Sequence, residues 1–68
     1  MIITTLRVYE DTFSRNFKDV KVNTVIGYLL SVEMCEVMYK DIDGMTREKK
    51  CKKIIDESNE GLLILYLA

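Results

Sequence analysis

The sequence predicts an α+β fold, in which one helix packs on an antiparallel sheet within a single compact domain of residues 1–68. Three observations predict it. Apolar and β-branched residues alternate at the N-terminus, which is typical of a strand. Two good N-cap residues precede an apolar stripe near residue 24, which indicates the start of a helix. The Asp43-Gly44 pair separates two segments that can pair with each other, which indicates a β-hairpin.

The first elements are two predicted strands separated by a turn. Ile2–Tyr9 alternates in period two, so we expect a strand with one buried face. The segment 10–16 is polar apart from Phe13 and predicts a turn. Phe17–Val22 then predicts a return strand.

The helix is predicted over about residues 24–32. Asn23 and Thr24 are suitable N-caps, and the residues that share one helical stripe are Val25, Ile26, Leu29 and Leu30. In an alternative interpretation this helix continues to residue 43 and a second one spans 46–58, which gives a β-α-α-β order. The helical spacing alone does not decide between the two.

We favour a hairpin in which residues 33–41 pair with 45–55 across the loop Ile42-Asp43-Gly44, with glycine where a positive φ is needed. The numbers of opposed residues then sum to 86. The resulting partners are Glu33 with Lys53, Cys35 with Cys51, Glu36 with Lys50, Val37 with Lys49 and Tyr39 with Arg47. Each opposite-charge pair contributes about 0.2–1 kcal/mol, so the charges favour this register over its neighbours.

The last apolar segment, residues 62–67, has apolar residues on both faces. Such a strand belongs inside a sheet or under a partner, since an exposed apolar edge promotes aggregation. A chain of 68 residues buries only about 60% of the surface that its unfolded form exposes. We therefore expect a second subunit, and a homodimer in particular.

Composition excludes several classes of enzyme. The chain has no histidine and two cysteines without the spacing of a zinc site. Its three glycines are isolated, so no phosphate-binding loop is present. We therefore expect a protein that is not an enzyme and that has no cofactor and no metal. The start of the chain does not resemble a signal peptide, and no apolar run is long enough to span a membrane. This predicts a cytoplasmic protein with no membrane association, in which the two cysteines are reduced.

The charge distribution supplies the main functional hypothesis. Ten basic and eleven acidic residues give a net charge of −1, yet five of the basic residues fall between positions 47 and 53. We interpret this run as a surface for an acidic patch of a partner protein, where complementary charge sets the rate of association. The candidate partner-binding residues are Arg47, Lys49, Lys50, Lys52, Lys53, Tyr39, Phe13 and Phe17.

The sequence thus predicts a small protein-binding or inhibitory module that occupies the surface of a partner; its size suits an origin in a phage or mobile element. A nucleic-acid-binding regulator that uses the basic segment 47–53 is the alternative, although the acidic remainder of the chain disfavours it. A structural oligomerisation protein is the third hypothesis.

Overall fold

Six β-strands form one curled sheet in the computed structural model, which describes residues 2–68. The strands are β1 (Thr5–Tyr9), β2 (Phe17–Leu29), β3 (Cys35–Asp41), β4 (Thr46–Cys51), β5 (Lys53–Glu57) and β6 (Leu62–Tyr66). Their order across the sheet is β4-β3-β2-β1-β6-β5. Neighbours are antiparallel, except that β1 and β6 run parallel. The sheet curls into a half-barrel whose two edge strands, β4 and β5, are joined through the single residue Lys52.

The predicted α+β class is wrong, because the described residues contain no α-helix and hence no helix able to span a membrane. The segment expected to be a helix over about 24–32 instead completes β2 and enters the following turn. The alternative helices over 24–43 and 46–58 are also wrong, since both ranges are mostly strand. The only helical element in residues 2–68 is a 3₁₀ turn, Ser58–Glu60, which ends at Gly61 with φ of 70°.

Two β-bulges in β2 explain the misleading helical pattern. The register with β3 shifts between Val22 and Thr24 and again between Val25 and Gly27. Each bulge inserts one extra residue, bends the strand and increases its twist. The first part of β2 therefore pairs with β1, and the second part turns away to pair with β3. This bend gives the sheet its curl.

The predicted hairpin is confirmed, together with its register. Cys35 lies opposite Cys51, and the pairs continue in step as far as Lys40 opposite Thr46, all with numbers that sum to 86. Gly44 has the expected positive φ, at 84°. The prediction fails at Glu33 and Lys53, because the chain turns at Lys52 and its continuation, β5, pairs with β6 instead of β3.

The core fills the concave side of the half-barrel. Its fully buried side chains are Leu6, Val37, Leu63 and Leu65, joined by Val22, Tyr39 and the free thiols Cys35 and Cys51. Each fully buried aliphatic side chain contributes about 1.5–3 kcal/mol. Of the two positions predicted for residues 62–67, inside a sheet or under a partner, the structure shows the first, since β6 lies between β1 and β5.

Candidate functional site

The basic run that the sequence singled out is divided over several parts of the surface. Buried Val37 and Cys51 identify the concave face, so Lys49, which lies opposite Val37, points inward and is half-buried. Lys50 lies opposite Glu36 on the outer face and is exposed. Lys52 occupies the corner between β4 and β5. The run is therefore not one continuous basic stripe.

Two of the predicted site residues, Arg47 and Tyr39, serve the fold. The Arg47 guanidinium donates a hydrogen bond from Nε to Asp41 Oδ2 at 2.6 Å. Asp41 Oδ1 also accepts the amides of Asp43 and Met45, both at 3.0 Å, so its carboxylate holds the turn together. These contacts raise the pKa of Arg47 and lower that of Asp41, in each case chiefly through the hydrogen bond between the two side chains. Tyr39 is only 5% exposed, so its ring is not available for stacking with a ligand.

Other predicted residues come together at the corner around Lys52. Two open grooves share this lysine. A groove of about 490 Å³ is lined by Asp11, Thr12, Phe13, Lys52, Lys53 and Ala68. The second, of about 180 Å³, is lined by Glu33, Met34, Lys50, Cys51, Lys52 and Leu67. We use the name corner surface for Phe13, Met34, Lys52, Lys53 and Leu67, which combine two ammonium groups with three exposed apolar side chains.

Phe13 is the most distinctive member of the corner surface, because its side chain is 93% exposed on an ordered turn. Asp11 Oδ1 accepts hydrogen bonds from the amides of Phe13 at 2.8 Å and Ser14 at 2.7 Å. The Ser14 hydroxyl then donates to the carbonyl of Asn16 at 3.1 Å. Local bonds of this kind fix a turn without help from the core. The backbone that carries the exposed ring is therefore ordered before any partner arrives.

Phe17 belongs to a row of aromatic rings on the outer face of the sheet. It lies opposite Tyr9, which lies opposite Tyr66. The rings of Tyr9 and Tyr66 are stacked, with centroids 5.0 Å apart and planes inclined by 19°, and Phe17 is tilted against Tyr9 at 5.5 Å. The distance between the Tyr9 and Tyr66 centroids is close to the spacing of neighbouring strands. These two rings therefore stand upright on the sheet and present their edges to solvent.

Arg7 completes the row and lies over one face of Phe17. Its guanidinium carbon lies 4.1 Å from the Phe17 centroid, and its Nε donates to Asp19 at 3.0 Å. The hydrogen bond between them raises the pKa of Arg7 and lowers that of Asp19. Single-stranded nucleic acids bind to aromatic residues whose faces are open. Because Tyr9 contacts both Tyr66 and Phe17, and Arg7 lies over Phe17, the row stabilises the sheet and leaves few open faces for base stacking.

A second exposed apolar area lies on the outer face of β2 and β3, where the sequence predicted the buried side of a helix. Ile26, Leu29 and Met38 are exposed around Gly27. No atom of the rest of the protein lies within 4 Å of the position that a Cβ on Gly27 would take. The result is an open hollow of about 280 Å³, which we call the Gly27 hollow. Sequence reasoning missed it because the bulges hide which residues of β2 face outward.

Comparisons of the chain with protein-family models, with curated proteins and with solved structures gave no match.

Proposed function

We propose that this chain is a non-catalytic protein-binding module that acts in the cytoplasm by covering the surface of a partner protein. The observation that carries the proposal is Phe13, a large apolar side chain displayed on an ordered turn beside Lys52 and Lys53. An exposed phenylalanine contributes nothing to the core. Rigid aromatic side chains are typical anchors of protein interfaces.

The corner surface indicates the chemistry of the partner. Phe13 and Leu67 fit an apolar pocket, whereas Lys52 and Lys53 fit an acidic rim around that pocket. Because Asp11 already orders the backbone of the turn, binding costs little backbone conformational entropy there. The lysines would mainly accelerate association, since charges at the edge of an interface steer the encounter. A module that fills a pocket in this way inhibits its partner if the pocket is functional.

The chemistry of the side chains supports a non-catalytic role. The chain contains no histidine that could act as a general base. Burial, followed by the neighbouring Cys35, raises the pKa of the Cys51 thiol to about 11. A thiol acts as a nucleophile in its ionised form, so this cysteine is poorly suited to covalent catalysis.

The nucleic-acid-binding regulator is a weaker proposal. Arg47 is paired with Asp41, Lys49 points inward, and the rings of the outer row already contact one another or Arg7. If the proposal were nevertheless correct, binding to single-stranded or duplex DNA or RNA would be detectable at low salt and would weaken steeply as salt is added. No shift in a gel at low salt would eliminate it.

The test of the protein-binding function uses the full chain with an affinity tag, expressed in its native cell or in the host of a mobile element. Partners are identified by mass spectrometry, and the interaction with each is then measured with purified components. We expect Phe13→Ser to weaken binding at least about 30-fold, as for an interface anchor. The double change of Lys52 and Lys53 to Ser should mainly slow association and reduce its salt dependence.

The matched control is Ile42→Ser. Ile42 is also a large exposed apolar residue in a turn, but it lies in the hairpin turn outside the corner surface. Binding should be unchanged in this variant. Equal binding by wild type and Phe13→Ser, with both folded by circular dichroism, would refute the assignment of the corner surface.

A further inference from the structure

The outer face of β2, β3 and β4 carries two adjacent rows of outward-pointing residues. One row is Leu29, Glu36 and Lys50, in that order across the three strands. The next row is Gly27, Met38 and Glu48, in the same order. The first row begins with an exposed apolar side chain, and the second begins with the Gly27 hollow.

We propose that this face binds a second copy of the same chain and forms a two-fold symmetric dimer. The two-fold axis lies between the two rows and runs parallel to the sheet, at right angles to the strands. It lays the first row of each copy over the second row of the other copy. Leu29 of each copy then enters the Gly27 hollow of the other. Lys50 of each copy meets Glu48 of the other. A symmetric interface requires a surface complementary to itself. The two rows provide this at their ends, whereas in the middle Glu36 of each copy lies over Met38 of the other.

The exposure of the residues supports this assignment. Leu29 is 67% exposed, and Ile26 and Met38 beside it are also exposed. Within residues 2–68 the ion pairs are Arg7 with Asp19 and Arg47 with Asp41, so Glu48 and Lys50 are free to pair between copies. Residues 48 and 50 lie on the same strand and the same face, about 7 Å apart. A partner's charges can therefore approach both without disturbing the fold.

A larger side chain at Gly27 tests the proposed dimer directly. Gly27→Tyr fills the hollow with the protein's own side chain, and the local backbone is not in the region reserved for glycine. Tyrosine is favoured in strands, so at a concentration where both proteins are monomeric the variant should fold and melt no lower than wild type. Sedimentation equilibrium of the full chain should show the dimer dissociation constant raised by roughly 30-fold or more.

Lys21→Tyr is the matched control. It places the same ring at an exposed outward position of β2, but in the part of the strand that pairs with β1, outside the two rows. This variant should dimerise like wild type. A wild-type protein that stays monomeric up to its solubility limit would overturn the proposal, as would a Gly27→Tyr variant that dimerises normally.

Charge reversal provides a second test that does not depend on filling the hollow. Glu48→Lys carries two lysines on the strand, and Lys50→Glu carries two glutamates, so each variant alone should dimerise less well than wild type. When the two variants are mixed, opposite charges face each other and a heterodimer should form, as native mass spectrometry can show. Homodimers of undiminished strength, or a mixture without heterodimer, would rule out the proposed arrangement. The dimer does not depend on the corner surface, and Phe13→Ser should leave it intact.

Discussion

Tyr28 and Asp56 are joined by a hydrogen bond that crosses the open side of the half-barrel. The Tyr28 hydroxyl donates to Asp56 Oδ2 at 2.8 Å. The two residues lie on β2 and β5, which are separated in the sheet by β1 and β6. No backbone ladder connects these two strands, so the side-chain bond links regions that the sheet itself holds apart. It raises the pKa of Tyr28 and, after a larger effect of Ser58, lowers that of Asp56.

Removing the Tyr28 hydroxyl should weaken this link between β2 and β5. We expect Tyr28→Phe to lower the melting temperature by about 2–5 °C, the range for losing one modest interaction in a small domain. Asp56→Ala should lower the melting temperature further, because Asp56 also accepts a hydrogen bond from the amide of Ser58. In the double variant the effect of Tyr28→Phe should vanish. Additive losses in thermal melts would show that the two side chains act independently.

Asp41 is expected to be the most sensitive polar residue of the β3–β4 hairpin. Asp41→Asn can still accept an amide but loses the ion pair with Arg47, so its melting temperature should fall by about 2–5 °C. Asp41→Ala also loses the hydrogen bonds from the amides of Asp43 and Met45, so its melting temperature should fall by about 5–10 °C. Lys40→Ala, at an exposed neighbouring position, serves as the control and should have little effect.

The stability of the fold in acid should depend on the same Asp41 carboxylate. The pKa of Asp41 is lower in the folded chain than in the unfolded one. Its contribution to stability is therefore fully present above the unfolded value of about 3.9 and is lost as the pH falls through the lower folded value. The wild type should thus lose stability in that range, and Asp41→Asn should show a flatter profile. Parallel profiles would mean that the pKa of Asp41 does not change on folding.

The success of the hairpin prediction and the failure of the helix prediction have a common physical origin. The hairpin depends on local features, namely a glycine where φ is positive and an unbroken period of two in both arms. In β2 the inward residues are Val20, Val22, Val25 and Tyr28, at intervals of two, three and three. The two longer intervals arise from the bulges. Spacing of three is also the spacing of a helical face, so the local pattern favoured the wrong element.

Long-range features of the fold had no local signal at all. The parallel pairing of β1 with β6 joins residues more than fifty positions apart, as between Thr5 and Leu62. The corner at Lys52 is also fixed by a residue distant in the sequence, because the Lys52 amide donates to the carbonyl of Tyr66 at 2.7 Å. Phe13 could be recognised as an exposed candidate, since it is an apolar residue in a polar turn. Its proximity to Lys52 and Lys53 could not be predicted.

Cys51 should react slowly with alkylating reagents in the folded protein. Because burial raises its pKa to about 11, only about one thiol in a thousand is ionised at pH 8. Iodoacetamide should modify it roughly 100-fold more slowly than in the chain unfolded by urea. A Cys35→Ala variant allows the rate at Cys51 to be measured alone by mass spectrometry. Equal rates in the folded and unfolded states would contradict the burial of this thiol.

The stability of the fold at high pH should depend on the same group. A pKa that is raised on folding contributes stability that is fully present below the unfolded value, about 8.5, and is lost as the pH rises towards about 11. Urea denaturation of Cys51→Ala should therefore show a weaker dependence on pH across this window than wild type. The two curves would be parallel if Cys51 did not titrate differently on folding.

Replacing each of the three glycines by alanine should change the free energy of unfolding by a different amount, and not always in the same direction. Gly44 has a φ of 84° with open space around it, so Gly44→Ala should cost only the strain of that backbone, about 1 kcal/mol. Gly61 has a φ of 70°, and its new Cβ would also lie 3.4 Å from the Ile2 carbonyl oxygen and from Thr4 Oγ1. Its carbonyl accepts the amides of Thr4 and Thr5, so any shift would disturb the start of β1. Gly61→Ala should therefore be the most destabilising of the three.

Gly27→Ala is the internal control of this series, since its backbone is ordinary and its surroundings are open. It should be neutral or stabilising by up to about 0.5–1 kcal/mol, because glycine loses the most conformational freedom on folding. Chemical denaturation at a concentration that keeps each variant monomeric separates this effect from dimerisation. Gly44→Asn should recover part of the loss at Gly44, because asparagine tolerates a positive φ better than alanine. Losses of equal size at all three positions would show that general backbone entropy, and not the turn geometry, controls the response.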